Sequence, residues 1–287
     1  MPGTLFVVAT PIGNLEDLTF RALRVLKECD VIAAEDTRRT SKLLAHYEIR
    51  KPLLSLREHN EVREIPRLIE RLASGQSVAL VSDAGTPTIA DPGVRLVRAA
   101  REAGQTVVPI PGANAIAAAL SASGIPADQF TFMGFPPATG QARQRWFQTL
   151  AKESRTVVFY ESPHRIIDTL SEIDELSIKR QIVIAREITK IHEEFVIKPN
   201  SQQYDGLLRA VGEFTVIVGL SQESRAKEPV DEAEAISLFG LLTENESIGH
   251  DVALELVSLK HGLSRKAIEK ALKRAKISAK QQKPSLP

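Results

Sequence analysis

The sequence has one cysteine, few aromatic residues and no excess of charge of either sign. The lone Cys29 excludes internal disulfides and cysteine-rich zinc sites. Its position near a predicted helix end favours an inert structural thiol in a reducing cytoplasm. The 37 basic and 36 acidic side chains give a net charge of +1, so any nucleic-acid-binding surface must be local.

Long apolar runs, a targeting segment and the common phosphate-binding patterns are also missing. No window approaches the ~18 apolar residues of a membrane-spanning helix, and residues 1–15 lack the basic start of a signal peptide. No G-x-G-x-x-G follows the first predicted strand and no G-x-x-x-x-G-K-[ST] occurs, which points away from NAD and ATP. We therefore expect a cytoplasmic protein with no membrane partner.

Residues 1–122 alternate apolar, β-rich runs with segments of helical periodicity. This alternation predicts an α/β domain with a mostly parallel sheet covered on both faces. Asp91 and Pro92 are typical of a helix cap followed by the first helical residue, and Gly104 suits the end of the same helix. The predicted strands are Leu5–Ala9, Val31–Ala34, Val78–Val81 and Thr106–Ile110, and the predicted helices are Thr19–Cys29, Ser41–Tyr47, Ile65–Ala73 and Pro92–Ala103.

A second α/β domain is expected over residues 123–222, after a Gly- and Pro-rich linker at 123–137. Some of its strands are too close in sequence for a helical crossover, so its sheet should be mixed or antiparallel. Ser162 and Pro163 repeat the helix-start signal. The predicted strands are Val157–Tyr160, Ile182–Ala185, Phe195–Ile197 and Phe214–Val218.

Residues 223–287 change in character. Residues 228–250 carry six acids and no Lys or Arg, whereas residues 251–287 carry nine Lys or Arg and three acids. Val252, Leu256 and Leu259 predict the apolar stripe of one helix, and Ile268 and Leu272 begin that of another. The turn His261–Ser264 between them predicts a small all-α helix-turn-helix domain, followed by a frayed tail.

Three loops at predicted strand ends are candidates for one cleft, because carboxyl ends of parallel strands share one edge of a sheet. Asp83 in the loop Ser82–Pro87 suits a hydrogen bond from a ligand's amino group or ribose, or the cap of a tight turn. The small residues after Pro111 suit a ligand or the close packing of a helix. The cleft residues expected are Pro11, Asp83, Ala84, Gly85, Thr86, Pro111, Gly112, Ala113 and Asn114.

Charged side chains follow the strand Val31–Ala34, and the charged run Arg57–Glu61 is expected at the end of a further strand that precedes Val78–Val81. Glu35 and Asp36 beside Arg38 and Arg39 suit a self-neutralising surface network, the usual fate of such runs. They equally suit a carboxylate base with phosphate-binding guanidinium groups. A lone histidine such as His59 is more often structural than catalytic.

Six motifs occur together and in order: ATPIGN (9–14), AEDTRRT (34–40), REHNE (57–61), SDAGTP (82–87), FYESPHR (159–165) and AREITK (185–190). In these the chain resembles the 2′-O-cytidine methyltransferases of small-subunit ribosomal RNA, a branch of the tetrapyrrole (corrin/porphyrin) methylase superfamily. The resemblance runs from about Thr4 to Leu220. The basic helical tail is similar to the helix-turn-helix domain of this RNA-directed branch.

The resemblance implies a two-domain α/β fold of the tetrapyrrole-methylase type, a homodimer and no metal. It implies that S-adenosylmethionine, which has no phosphate, binds between the domains. The methyl group would go to a cytidine 2′-oxygen in the decoding region, on free RNA or on the assembled small subunit. The chain departs from the family at Ala113–Asn114, where a second proline and a small or sulfur residue are usual, and at Val211, where a lysine is usual.

The chemistry of methyl transfer to a ribose hydroxyl suggests roles for individual residues. Phe135 and Tyr160 should close over the cofactor, and Asp83→Ala should abolish its binding. A base must remove the ribose proton, and the candidates are Glu35, Asp36, His59, Glu187 and, if desolvation lowers its pKa, Lys190. The residues expected to meet RNA are Arg38, Arg39, His164, Arg165, Arg186, Lys266, Lys270, Lys273 and Arg274.

Two other functions remain open. A methylase acting on a porphyrin-like ring would need an apolar trough, which suits poorly an aromatic content of 5%, and has no need of a basic tail. An RNA-binding module with a decayed cofactor cleft is disfavoured by the intact Asp83, Gly85, Pro87, Pro111 and Gly112. A measurement of S-adenosylmethionine binding separates an enzyme from a module.

Overall fold

A computed structural model describes residues 3–176, 180–198, 209–220, 232–244, 249–261 and 265–281. The chain divides into two compact units, Met1–Gly219 and Leu220–Pro287. The first unit contains two five-stranded sheets, and the second contains helices.

The first sheet is entirely parallel, with the order β3-β2-β4-β1-β5. Its inner strands are continuous apolar runs because helices cover both faces. Alternate residues of β2 show this: Ile32 packs with α1 and α2, whereas Val31 packs with α3 and α4. The elements are β1 Thr4–Val8, α1 Phe20–Glu28, β2 Val31–Ala34, α2 Thr37–His46, β3 Leu53–Ser55, α3 Glu61–Ala73, β4 Val78–Val81, α4 Val94–Glu102 and β5 Thr106–Ile110.

The second sheet is mixed, as the short connections predicted, with the order β6-β7-β10-β8-β9. β6 and β7 are parallel and the other pairs are antiparallel. Helices α6 and α7 pack on one face and α5 packs on the other. The elements are α5 Ala115–Ser123, β6 Phe130–Phe132, α6 Gly140–Lys152, β7 Thr156–Glu161, α7 Ile166–Glu175, β8 Ile182–Arg186, β9 Glu194–Lys198 and β10 Phe214–Val218.

The C-terminal unit contains α8 Glu232–Glu244, α9 His250–His261 and α10 Arg265–Gln281. Its core includes Phe239, Val257 and Ile268. The stripe predicted for α9 is wrong, because Val252 and Leu256 are exposed and the neighbouring Ala253, Leu254 and Val257 are buried. Residues 262–264 of the predicted turn, and most of the predicted tail, lie outside the described residues.

The two helix starts predicted from a capping residue followed by proline, Asp91-Pro92 and Ser162-Pro163, are also displaced. Helix α4 begins at Val94 after Gly93 rather than at Pro92, so Asp91 does not cap it. Helix α7 begins at Ile166, three residues after Pro163. Gly104 does follow α4 with φ +68°, as predicted. Within the described ranges no helix is both long enough and apolar enough to cross a membrane.

Candidate active site

The loops after β1, β4 and β5 are joined by hydrogen bonds. Thr10 and Gly85 exchange two backbone N–H···O bonds of 2.9 Å, which ties the β1 loop to the β4 loop. The Thr86 hydroxyl donates to the Ala113 carbonyl at 3.2 Å, and the Asn114 amide contacts that hydroxyl at 3.4 Å. The structure therefore brings together the strand ends that the sequence analysis assigned to one cleft.

A cavity of about 340 Å³ lies where these loops face the second sheet. Its volume is in the range of small-molecule sites, roughly 300–1,000 Å³. The lining residues are Ile12, Ala84, Gly85, Thr86, Ile89, Ala90, Asp91, Asn114 and Ala115 from the first half, and Phe135, Tyr160, Glu161, Ser162, Pro163, Glu213, Phe214 and Thr215 from the second.

Six of the predicted cofactor residues line this cavity: Ala84, Gly85, Thr86, Asn114, Phe135 and Tyr160. The aromatic pair from the second sheet is in contact, with the ring centroids of Phe135 and Tyr160 5.4 Å apart. Burial is the main cause that raises the pKa of the Tyr160 hydroxyl to about 12, so it is a hydrogen-bond donor at neutral pH. The cavity thus has an aromatic wall opposite the glycine loop.

The other five predicted cofactor residues are Pro11, Asp83, Pro111, Gly112 and Ala113, and none of them lines the cavity. Gly112 packs on Ala9 so closely that a Cβ at Gly112 would lie 2.9 Å from the Ala9 Cβ. Asn114 has a structural role as well, because its Oδ1 caps α5 by accepting from the Ile116 and Ala117 N–H groups. The sequence indicated these loops, whereas the side chains that line the cavity depend on contacts outside each loop.

The Asp83 carboxylate joins neighbouring loops instead. Its Oδ1 accepts from the Asp36 N–H at 2.9 Å and its Oδ2 lies 3.4 Å from the Arg39 guanidinium. The Glu35 carboxylate in turn accepts from the Asp83 N–H at 3.3 Å, and burial raises the pKa of Glu35. A direct bond from Asp83 to a ligand in the cavity, as the sequence analysis expected, is therefore a poor fit.

Asp36 is a weak base in this arrangement. Its side chain caps α2 and accepts from Arg38, and these bonds hold the pKa of Asp36 well below its usual value. Arg57 of the REHNE motif supports the same loop by donating to the Glu35 carbonyl at 3.0 Å. His59 of that motif is exposed and does not line the cavity.

Glu187 and Lys190, the last two candidates for the base, are paired with each other. The Lys190 Nζ donates to Glu187 at 2.8 Å and to Glu213 at 3.1 Å. Burial alone would lower the pKa of Lys190, but these bonds outweigh burial and raise it. Burial would likewise raise the pKa of Glu187, but its bonds with Lys190 and the Glu213 N–H lower it. Lys190 was expected to act as a base only if desolvation lowered its pKa, and its pKa is raised instead.

Strained backbone occurs beside the lining residue Ile89 and in the loop Glu187–Thr189, in which Glu187 accepts from the N–H of the lining residue Glu213. Thr88 and Ala90 have φ values of +74° and +63°, and Glu187 and Thr189 have values of +50° and +68°. Non-glycine residues rarely adopt this conformation, and such strain is often found at functional sites. The Thr189 hydroxyl accepts from the Asn14 N–H at 3.0 Å, which links the loops of the two sheets.

The predicted RNA-contacting residues divide into two groups. Arg186 is buried, donating to Glu194 at 3.0 Å and to the Val211 carbonyl, and Arg165 is held by Glu161, Ser162 and the Pro136 carbonyl. These bonds give Arg186 and Arg165 structural roles, and contact of either residue with RNA stays a prediction. The exposed side chains are Arg38, Arg39, His164, Lys266, Lys270, Lys273 and Arg274.

Two residues that matter for the site were missed by the sequence analysis. Asp91 lines the cavity, and burial is the main cause that raises its pKa to about 6. Glu61, at the end of the REHNE motif, is buried and accepts from the Gly93 N–H at 2.9 Å. The Asp-Pro-Gly pattern predicted that Asp91 caps α4. Nothing in the local sequence shows that Glu61 of α3 accepts the hydrogen bond at the start of α4 instead.

The charged side chains among the described lining residues are all acidic, although Glu161 is paired with Arg165 and Glu213 with Lys190. Asp91, Glu161 and Glu213 contribute carboxylates, and no Lys, Arg or His is among the described residues that line the cavity. Across the described ranges no three His, Cys, Asp or Glu residues are grouped to hold a metal ion. The lining offers no cation to a phosphate, so the arrangement disfavours a phosphate ligand.

The sequence profile of the Tetrapyrrole (Corrin/Porphyrin) Methylases matches residues 4–202, which is more than half of the chain. The solved structure of a diphthine synthase covers 77% of this chain and 93% of its own, with a TM-score of 0.60 and 16% identity. That of uroporphyrin-III C-methyl transferase from Thermus thermophilus, complexed with S-adenyl homocysteine, covers 76% and 97%, with a TM-score of 0.54 and 18% identity. The fold class is therefore that of the tetrapyrrole methylases, as predicted.

Sequence relatives define the group more narrowly. A "Ribosomal RNA small subunit methyltransferase I" of Pasteurella multocida is 46% identical over 273 residues, which is 93% of this chain and 96% of the relative. The protein of the same name in Bacillus subtilis is 44% identical over 273 residues, covering 94% and 89%. The chain belongs to the ribosomal RNA small subunit methyltransferase I family, which confirms the resemblance given by the six motifs.

Proposed function

We propose that the chain is an S-adenosylmethionine-dependent methyltransferase acting on the 2′-oxygen of a cytidine ribose in the decoding region of small-subunit ribosomal RNA. The observation that carries the proposal is the carboxylate-lined cavity at the ends of β1, β4 and β5. The names of the sequence relatives support the RNA target. We further propose a homodimer in the cytoplasm, acting on free RNA or on the assembled subunit.

The lining fits S-adenosylmethionine. Its sulfonium and ammonium groups are positive, which suits a cavity with no Lys, Arg or His among the described residues that line it. Phe135 and Tyr160 offer an aromatic surface to the adenine. Gly85, opposite this aromatic pair, leaves space for a ligand that a side chain would take. A Cβ at Gly85 would lie 3.3 Å from Ile12 Cγ2. When bound, S-adenosylmethionine supplies a methyl group that the positive sulfur has already activated.

The protein's own contribution is to position the ribose and to accept a proton. Holding the 2′-oxygen in line with the methyl carbon converts a bimolecular encounter into an oriented one. The exposed Arg38 and Arg39 lie on α2, directly after the loop that carries Glu35, and suit the RNA backbone. The exposed Lys266, Lys270, Lys273 and Arg274 of α10 suit further phosphate contacts.

The decisive experiment supplies the protein with methyl-labelled S-adenosylmethionine and small ribosomal subunits that lack the modification. We expect label in the RNA at one cytidine. A methyl group on the 2′-oxygen makes the following phosphodiester resistant to alkali, so the label should appear in an alkali-stable dinucleotide.

Three other results would each replace this proposal. Label on a base rather than on the ribose would contradict the 2′-oxygen assignment. Label transferred to a porphyrin-type ring, and not to RNA, would favour a tetrapyrrole methylase. Binding of RNA without measurable binding of S-adenosylmethionine in calorimetry would favour a non-catalytic module.

A further inference from the structure

Asp91 occupies a position that its sequence context does not explain. The Asp-Pro-Gly pattern is typical of a helix start, yet α4 begins at Val94 and the Gly93 N–H is satisfied by Glu61. The segment Ile89–Asp91 lines the cavity instead. Because α3 provides the carboxylate that α4 needs, the carboxylate of Asp91 is available to the cavity.

The other two carboxylates of the lining are occupied. Glu161 Oε1 accepts from the Ser162 N–H and lies 2.9 Å from Arg165, and its Oε2 accepts from the Thr169 hydroxyl. Glu213 is paired with Lys190 at 3.1 Å. A carboxylate held by a cation is a weak base, because the cation stabilises its ionised form.

The surroundings of Asp91 act in the opposite direction. Burial, together with the negative charges of Glu35 and Asp83, raises its pKa from 3.8 to about 6, and a hydrogen bond with Ser82 opposes the rise. The Asp91 carboxylate is in turn one cause, after burial, of the raised pKa of the Tyr160 hydroxyl, which is neutral at physiological pH. A carboxylate that titrates just below neutral pH is ionised in the cell and is a stronger base than an ordinary one.

We infer that Asp91 is the catalytic base of this site, and that its carboxylate takes the proton of the ribose 2′-hydroxyl during methyl transfer. This inference rests on the proposed function. The proton passes from the 2′-oxygen to an Asp91 carboxylate oxygen, while an electron pair of the 2′-oxygen forms the bond to the methyl carbon. The pair of the breaking carbon–sulfur bond stays on the sulfur. Asp91 then releases its proton to water.

The test compares Asp91→Asn with wild-type protein and with Asp128→Asn, a matched change at an exposed aspartate before β6. Single-turnover methylation of small subunits is measured from pH 5 to 9. The wild-type rate should rise with pH about a midpoint near 6, following the raised pKa. Asp91→Asn should lose this dependence and be slower by ~10²-fold or more. Asp128→Asn should match wild type.

A second readout does not depend on activity. Because the folded pKa of Asp91 lies above its unfolded value, the folded state binds the proton more tightly, and stability falls as pH rises from about 4 to about 6. Asp91→Asn removes that loss, so at pH 8 its thermal midpoint should equal or exceed that of wild type. The difference between the two proteins should shrink as the pH falls towards 4.

The outcomes are distinguishable. Wild-type protein that transfers no methyl group to RNA would overturn the proposed function and this inference with it. An active Asp91→Asn variant with the wild-type pH profile would overturn the inference alone. Weaker binding of S-adenosylmethionine to Asp91→Asn with an unchanged maximal rate would assign the side chain to ligand binding, which also overturns it.

Discussion

Glu61 on α3 accepts a hydrogen bond from the backbone N–H of Gly93, 32 residues away, at a donor–acceptor distance of 2.9 Å. The carboxylate is buried and is also 3.7 Å from the Arg95 guanidinium. Gly93 has φ +114° and packs against Leu80 of β4. One side chain therefore fixes the start of α4 and, with it, the end of the loop that carries Asp91.

Replacing Glu61 tests this contact. Glu61→Ala leaves the buried Gly93 N–H without its acceptor and should lower the free energy of unfolding by ~1–3 kcal/mol. Glu61→Gln keeps an acceptor oxygen and should cost clearly less. Urea denaturation gives both values, with Glu58→Ala at an exposed position of the same motif as the control. Equal losses for Ala and Gln would show that the hydrogen bond is not what stabilises the loop.

Gly85 and Gly104 form a matched pair with similar backbone conformations. Their φ values are +76° and +68°, so an alanine at either position should cost ~1–2 kcal/mol of stability. An added methyl group at Gly85 would face Ile12 in the cavity, whereas at Gly104 nothing lies within 4 Å. We expect calorimetry to show weaker binding of S-adenosylmethionine for Gly85→Ala only. Equal affinities would remove this loop from the ligand site.

Arg39 and Arg186 were both expected to contact RNA, but the structure gives them different roles. Arg186→Gln should lower stability by ~1–3 kcal/mol, because the buried Arg186 is the donor to Glu194 and to the Val211 carbonyl. Arg39→Gln should change stability by less than ~1 kcal/mol, because the Arg39 side chain in its pair with Asp83 is 67% exposed, but should weaken RNA binding. Thermal unfolding and filter binding separate the two effects. The reverse pattern would contradict both assignments.

The basic face of α10 is tested by salt dependence. Changing Lys266, Lys270 and Lys273 to Gln should weaken RNA binding and flatten the plot of log affinity against log salt by ~0.7–0.9 for each lost phosphate contact. The control is the same change at Arg21, Arg24 and Lys27, three exposed positions on α1. An unaltered slope for the α10 variant would mean that this helix does not meet the RNA backbone.

The sequence predicted what depends on local pattern. The apolar runs Val31–Ala34 and Val78–Val81 are buried on both faces and needed no tertiary information. The three-residue strand Phe130–Phe132 was not predicted, because its segment is rich in Gly and Pro and its pairing with β7 is not visible in sequence. The stripe of α9 was misplaced, because apolar residues surround that helix and several registers fit equally well.

For the cavity, too, the features set by local sequence were predicted and those set by tertiary contacts were not. Loops could be located because parallel strands end at a common edge, but side-chain direction within a loop follows from contacts made far away in sequence. Asn114 was a candidate ligand contact and proves to cap α5 as well. Asp91 was a predicted cap and proves to line the cavity, because Glu61 satisfies the start of α4.

The reciprocal bonds between Thr10 and Gly85 end the parallel sheet in a short antiparallel pair at the cavity wall. Both amide hydrogens are held by the opposite carbonyl, so each exchanges with solvent deuterium only when the two loops separate. Exchange at these two amides therefore reports how often the two loops separate. A ligand that bridges the loops would slow exchange at both amides together.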